Sequence, residues 1–225
     1  MLGRIAGFTS VAALLLVACQ DYGGVALTPS RQFMAARDIP PRDVAAYGVV
    51  ALTAKPTPAS RARLLRLCQA YLASLPPRES LRNVPPSRQM VTIWPVENPR
   101  AILSGHERCD QMLDEYDLYA GQSAIADAFA QGGAVSGRGP FLIGWSPSSS
   151  RGVPDAVVLV IDMSLFESQA SFDDAFRFWQ RRIVEDPELW RSGFVVWRIR
   201  NAVRDFADEY GDAILKALSF KGSKE

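Results

Sequence analysis

The most apolar of the strands that the sequence predicts covers residues 156–161 and reads Ala-Val-Val-Leu-Val-Ile. An apolar run without polar alternation leaves no face for water, which is typical of a strand buried on both sides. Such a strand needs helices to cover the sheet that contains it. The run therefore predicts a sheet whose central strand lies between helical layers.

Three other segments have the short apolar, β-branched composition of strands, and they are residues 47–53, 90–94 and 141–145. The last of these is joined to the run at 156–161 by residues 146–155 alone. That connection is too short for a crossover helix, so we expect the two strands to pair antiparallel.

Helical patterns alternate with the strands. Thr57 is a predicted N-cap before Pro58, and Ser171 is the predicted N-cap of a later helix. Residues 195–218 repeat apolar positions at helical spacing, although residues 194–199 also have the composition of a fifth strand. The sequence predicts an α/β or α+β fold with a mixed four- or five-stranded sheet, packed by helices and followed by a helical C-terminus.

The N-terminus has the parts of an export signal. Arg4 supplies a positive charge, and residues 5–18 form an almost wholly apolar run, shorter than the roughly 20 residues that span a bilayer. Residues 16–19, Leu-Val-Ala-Cys, resemble the lipobox of bacterial prolipoproteins. The resemblance implies cleavage before Cys19, a diacylglyceryl thioether on its sulfur, and an acyl chain such as palmitate on the new amine.

The resemblance also implies a domain organisation. Residues 1–18 are the signal peptide, residues 19–45 a lipidated tether, and residues 46–220 a single globular α/β domain. Gln20, in place of aspartate after the cysteine, implies the outer membrane, with the domain facing the periplasm and the inner membrane as the alternative. An ordinary secreted protein, an uncleaved anchor and a cytosolic chain with an apolar start are the other interpretations of residues 1–18.

Two cysteines, Cys68 and Cys109, remain when Cys19 carries lipid. Both fall on apolar faces of predicted helices. An oxidising periplasm favours one disulfide between them. Two buried free thiols are the alternative, because unpaired cysteine is often buried.

The charge balance argues against nucleic acid as a partner. Removing residues 1–18 takes only Arg4 from the 25 basic residues, so 24 basic residues face 24 acidic ones. His106 is the only histidine, and with no spare cysteine the sequence predicts no metal site. It predicts no cofactor either.

Strand ends and helix starts supply the catalytic candidates. Asp162 and Glu97 follow predicted strands, where α/β folds often place functional groups, and a carboxylate pair could act on a glycan. His106 could serve as a general base for a serine such as Ser146 or Ser164. The structural alternatives are helix-capping or turn-forming acids and a surface histidine.

Two segments match known catalytic or phosphate-binding motifs only in part. Residues 144–148, Gly-Trp-Ser-Pro-Ser, fail the G-x-S-x-G pattern at the last position, so we interpret them as part of a serine-rich hairpin loop. The glycine cluster at 132–139 lacks the Gly-Lys-Ser/Thr ending of a phosphate loop. We interpret it as a connection in which Arg138 can meet an anion.

Aromatic and arginine side chains are interleaved over residues 172–206. Tryptophan and arginine are enriched in binding hot spots, and the residues predicted to bind a partner are Phe178, Trp190, Trp197 and Arg181. The alternative is a pair of buried helices whose arginines pair with nearby acids.

The sequence therefore predicts a membrane-anchored cell-envelope lipoprotein with a non-catalytic binding or assembly role and an envelope protein as partner. The alternative is a periplasmic hydrolase that acts on cell-wall or polysaccharide substrate. A small-molecule binding domain is the third hypothesis.

Overall fold

The computed structural model describes residues 26–41, 43–103, 108–133, 135–185 and 218–219. They form a mixed sheet in the order β1-β3-β2-β4-β5-β6. The first three strands in that order are mutually parallel, whereas β4 is antiparallel to β2 and to β5. The strands are β1 (Thr28–Met34), β2 (Ala46–Ala51), β3 (Gln89–Pro95), β4 (Phe141–Trp145), β5 (Val158–Asp162) and β6 (Leu218–Ser219).

Helices cover both faces of this sheet. The helices α1, α3 and α5 pack on one face, and α4 packs on the other, so that two hydrophobic clusters lie on opposite sides of the strands. The α-helices are α1 (Pro58–Ser74), α2 (Pro99–Leu103), α3 (Cys109–Asp114), α4 (Leu118–Ala130) and α5 (Gln169–Glu185). Short 3-10 helices lie at Ala36–Asp38, Arg78–Leu81, Pro86–Arg88 and Ser148–Ser150.

The predicted α/β fold with a mixed, helix-covered sheet is confirmed, and so is the antiparallel pairing of β4 with β5. The central strand is β2, which is buried along its whole length. The apolar run at 156–161 instead forms β5, which lies between β4 and the two-residue β6. The predicted helix at 195–218 and the alternative strand at 194–199 fall outside the described residues, except for Leu218.

The first strand lies where the sequence predicted a tether. Strand β1 pairs with β3 over its full length, and the preceding Leu27 is 1% exposed, so the sheet begins well before residue 46. Its polar residues interrupt the apolar pattern by which a strand is recognised in the sequence. Arg31 donates to the carbonyls of Leu72 and Leu75 at the end of α1, and Pro29, which lacks an N–H, is tolerated because β1 is an edge strand.

Local signals set two helix starts. Thr57 caps α1 through a capping box with Ser60, as the sequence predicted in part. For α5 the predicted cap is wrong: the helix begins at Gln169, and the backbone N–H of Ser171 donates to the hydroxyl of Ser168 at 3.1 Å. Ser168 therefore does the capping, three residues upstream.

The predicted disulfide is confirmed. Cys68 of α1 and Cys109 at the start of α3 are bonded, with their Cα atoms 5.6 Å apart. The bond joins two helices of the same layer across a sequence separation of 41 residues. It therefore fixes α3 against the hydrophobic face of α1.

The docking of α5 on the sheet depends on a glycine in the central strand. A Cβ on Gly48 would overlap the indole of Trp179. The indole N–H donates to the hydroxyl of Thr92 on the neighbouring strand at 2.9 Å, and Trp179 is fully buried. Because Gly48 carries no side chain, the largest aromatic of α5 lies directly on the backbone of β2.

We expect Gly48→Ala to lower the free energy of unfolding by about 1–3 kcal/mol, the usual cost of overpacking a core. Urea unfolding of wild type, Gly48→Ala, Trp179→Phe and the double variant measures this. The alanine should cost clearly less when Phe replaces Trp179, because the smaller ring leaves room for the methyl group. Strictly additive effects would show that the two positions do not compete for space.

We expect loss of the disulfide, in the Cys68→Ala/Cys109→Ala variant, to lower the free energy of unfolding by up to about 4 kcal/mol, the chain-entropy value for a loop of this length. Chemical unfolding of the variant and of the wild type under oxidising conditions gives the difference. A midpoint that does not change would show that α1 and α3 are held together without the bond.

Candidate functional site

The candidate site lies at one edge of the sheet. The strands β1, β2, β3 and β5 run in the same direction and end at this edge, where β4 begins. We call it the carboxyl edge, and the opposite one the amino edge. Open α/β sheets bind ligands at the carboxyl ends of their strands. A cleft of about 230 Å³ opens there, lined by Leu52, Thr53, Ala54, Lys55, Thr57, Ser60, Arg63, Leu64, Arg138, Gly139 and Pro140.

The floor of the cleft is held by a buried tyrosine. The hydroxyl of Tyr116 accepts from the backbone N–H of Leu52 and donates to the carbonyl of Val50, both at 2.9 Å. Tyr116 is fully buried, and burial raises the pKa of its phenol far above the usual value, against the opposing effect of the Leu52 hydrogen bond. This hydroxyl fixes the end of β2 where the strand enters the cleft.

Arg63 holds the far wall. Its guanidinium donates to the carbonyls of Met163 and Phe166 at 2.6 Å and to that of Gly139 at 3.3 Å. Burial lowers the pKa of Arg63, while the charges of Glu167 and Asp162 oppose that shift. The side chain is 18% exposed, and its N–H groups donate to backbone carbonyls, so it positions the turn after β5.

Asp162 is held within this turn. Its carboxylate accepts from the backbone N–H of Ser164 at 2.8 Å and from the hydroxyl of the same residue. A Cβ on Gly137 would overlap both side chains, so the glycine loop passes directly against them. Asp162 and Ser164 therefore join the glycine loop to the end of β5.

Glu97 lies on the other side of the cleft and is paired with Lys55 at 2.7 Å. The same ammonium group donates to the carbonyl of Tyr116 at 2.6 Å.

Glu97 follows β3 and Asp162 ends β5, with β2 and β4 between them. Three interstrand spacings amount to about 14 Å, beyond the separation of glycosidase carboxyl pairs. The structure does not bring the two predicted carboxylates together.

Arg138 lines the cleft with a guanidinium group whose hydrogen-bond donors are not used within the described part of the chain. Its side chain is exposed and makes no hydrogen bond or ion pair with another residue that the structure describes, while its carbonyl accepts from the hydroxyl of Thr53 at 2.8 Å. That hydrogen bond ties the glycine loop to the residues after β2. The end of the glycine cluster, Arg138 and Gly139, thus lines the cleft, with the Arg138 guanidinium available to an anion.

Ser146, the residue that weakly resembled a nucleophile, is buried and lies in the turn after β4. The turn continues into the 3-10 helix Ser148–Ser150 and then into β5, which confirms the interpretation as a hairpin loop. It lies at the amino edge, across the sheet from Ser164 and from the cleft.

Sequence reasoning missed a polar network that holds this hairpin loop. Arg151 pairs with Asp127 of α4 at 2.6 Å and stacks on the ring of Trp145, 5.1 Å from its centroid. The indole of Trp145 donates to Gln131 at 2.7 Å and stacks on Tyr47. Burial raises the pKa of Tyr47 to about 12, and the adjacent Arg151 opposes the shift. The network is structural, and no local motif marks it because its members come from four elements.

The predicted partner-binding residues separate into two groups. Phe178 is 2% exposed and belongs to the same hydrophobic cluster as Phe176 and Trp179, so its ring is part of the core. Arg181 is one-third exposed and pairs with Glu185 at 3.4 Å. The remaining predicted site residues, Cys19, His106, Trp190 and Trp197, lie outside the described residues.

Comparison with models of protein families, with curated proteins and with solved structures gives no match. Within the described part of the chain, no helix is long and apolar enough to cross a membrane. The same residues contain no cluster of three or more histidine, cysteine, aspartate or glutamate side chains that could hold a metal ion.

We expect Tyr116→Phe to lower the free energy of unfolding at neutral pH by about 1–3 kcal/mol, because it leaves buried backbone groups of Val50 and Leu52 unpaired. Tyr119→Phe on α4 is the matched control: its ring is 76% exposed, and the change should stay within about 0.5 kcal/mol. Urea unfolding measures both variants, and equal effects would contradict the role of the Tyr116 hydroxyl.

The raised pKa of Tyr116 also predicts a pH dependence. Above pH of about 10 the tyrosine ionises in the unfolded chain but not in the fold, so the free energy of unfolding falls as pH rises. Part of that fall should be missing in Tyr116→Phe, as measured by unfolding at neutral and alkaline pH. A wild-type slope in the variant would show that other groups carry the alkaline dependence.

Proposed function

We propose that the chain is a cell-envelope lipoprotein, anchored through lipid on Cys19, whose α/β domain binds a partner rather than transforming a substrate. The anchor is supported by the coincidence of a positive start, an apolar core and a lipobox-like tetrapeptide within residues 1–19. Two or more acyl chains hold a protein on a membrane stably. The outer membrane and the periplasmic side remain the favoured location, on the basis of Gln20.

The observation that supports binding is the state of the charged groups around the cleft. Glu97 is paired with Lys55, Asp162 accepts from Ser164, and Arg63 donates to backbone carbonyls. Cleavage of a glycan by a carboxylate pair needs two carboxyl groups that face each other across the substrate. Here the acids neutralise and position their own neighbours, which is the arrangement of a recognition surface.

The cleft favours a small acidic group as its occupant. Arg138 contributes an exposed guanidinium, and Thr57 stands at the N-terminus of α1, where the helix dipole adds positive potential. At about 230 Å³ the cleft falls below the size typical of a pocket for a whole drug-sized ligand. A carboxylate side chain of an envelope protein would fit, with Arg138 as its charged hydrogen-bond donor.

Cross-linking in native membranes, followed by purification, tests this proposal. The wild type should recover one discrete partner, and Cys19→Ala should not recover it because the domain leaves the membrane. Arg138→Glu should reduce recovery about tenfold, the equivalent of one charged hydrogen bond. Arg37→Glu is the matched control, because Arg37 is 85% exposed and lies outside the cleft.

Two results would contradict the proposal. No discrete partner from either the wild type or Arg37→Glu would remove the binding role. Equal recovery of the partner from wild type and Arg138→Glu would place the binding surface away from the cleft.

A further inference from the structure

The short distance between the lipid site and the sheet limits how the domain sits on its membrane. Only residues 20–26 separate Cys19 from Leu27, which is 1% exposed and leads directly into β1. Fully extended, that connection reaches about 28 Å, and a chain of this length that is not held extended spans about 15 Å. The sequence alone suggested a tether almost four times as long.

The connection enters the sheet at the amino edge. Thr28 at the start of β1 lies opposite Gln89 at the start of β3, and the backbone N–H of Ala45 donates to the carbonyl of Gln89 at 3.1 Å. A seven-residue strand is about 23 Å long, so the anchor approaches the carboxyl edge only if the connection runs back along the whole sheet. The amino edge is therefore the edge nearest to the bilayer.

One exposed segment of this edge suits a lipid surface. Residues 82–88 lead into β3 and contain Arg82 and Arg88, both exposed and neither paired with another described residue. Between them lie Pro85 and Pro86, which are exposed as well. Segment 82–88 thus combines two available guanidinium groups with apolar rings, next to the point where the lipid-bearing chain enters.

The acids near segment 82–88 do not cancel its charge. Asp43 is engaged by Arg78 at 2.7 Å, and Gln89 receives the Nε–H of the same arginine at 2.9 Å. Because Arg78 is already paired with Asp43, the remaining charges of residues 79–88 are two arginines, Arg82 and Arg88, against one exposed acid, Glu79. Anionic phosphate groups at a membrane surface attract such positive charge within a Debye length.

We propose that segment 82–88 docks on the anionic phospholipid headgroups of the membrane that holds Cys19, which turns the carboxyl-edge cleft away from the bilayer. The inference depends on the lipid anchor of the proposed function. It gives the two edges of the sheet separate roles, because the amino edge contacts lipid and the carboxyl edge stays open to a partner.

Fluorescent labels on two serines test the orientation in the full lipidated chain. Ser87→Cys places the label within segment 82–88, and Ser136→Cys places it beside Gly137 near Asp162, toward the carboxyl edge; both serines are exposed. The disulfide occupies Cys68 and Cys109, so each variant has one reactive thiol. The protein is reconstituted into vesicles of phosphatidylcholine alone or mixed equally with phosphatidylglycerol, each carrying a quencher on a headgroup.

The label at Ser87 should be quenched several-fold more than the label at Ser136, and more strongly in vesicles that contain phosphatidylglycerol. The double change Arg82→Glu/Arg88→Glu should remove the dependence on phosphatidylglycerol. The matched control Arg37→Glu/Arg100→Glu makes the same charge change on exposed arginines after β1 and β3 and should keep it.

A separate readout distinguishes failure of the anchor from failure of the docking. Protein that leaves neutral vesicles in high salt has no acyl anchor, and then both proposals fall. Protein that is retained, but shows equal quenching at the two positions or no response to phosphatidylglycerol, overturns the docking alone.

Discussion

The contact between the Trp179 indole and the bare backbone of Gly48 determines how the helical layer sits on the sheet. Through this indole α5 contacts β2, and the hydrogen bond from the indole to Thr92 ties it to β3 as well. Because α5 follows β5 after a short turn, a fixed α5 also fixes that turn. Arg63 then reaches the carbonyls of Met163 and Phe166 and closes the far wall of the cleft.

The polar groups near the cleft mostly hold the fold together. Tyr116 satisfies backbone groups of Val50 and Leu52 at the end of β2, and Arg63 satisfies carbonyls of two connections. Lys55 joins Glu97 to the carbonyl of Tyr116. Breaking these hydrogen bonds is unfavourable, because a buried polar group without a partner destabilises the fold. This arrangement is what the proposed binding role requires, in which a rigid surface presents Arg138 to a partner.

Much of the fold follows from local sequence signals. The strands β2, β3, β4 and β5 are buried on both faces, so each is visible in the sequence as a short apolar run. The short loop between β4 and β5 allows only antiparallel pairing. The disulfide followed from counting cysteines once Cys19 was assigned to lipid. These features depend on neighbouring residues or on composition, which a sequence displays directly.

Features that depend on distant residues could not be predicted in the same way. Strand β1 contains polar residues whose partners are the end of α1 and Arg78, so its pattern looks like a connection. Phe178 lies off the main apolar face of α5, yet tertiary packing buries it. Arg63 looks like a surface arginine until the turn after β5 supplies its carbonyl partners.

Mass analysis of the N-terminal tryptic peptide from the membrane fraction tests the central claim, a lipid-anchored domain, most directly. The account predicts that residues 19–31 carry a diacylglyceryl group on the sulfur of Cys19 and an acyl group on its amine. A chain that keeps residues 1–18, or one that begins at an unmodified residue and stays in the soluble fraction, would contradict the account.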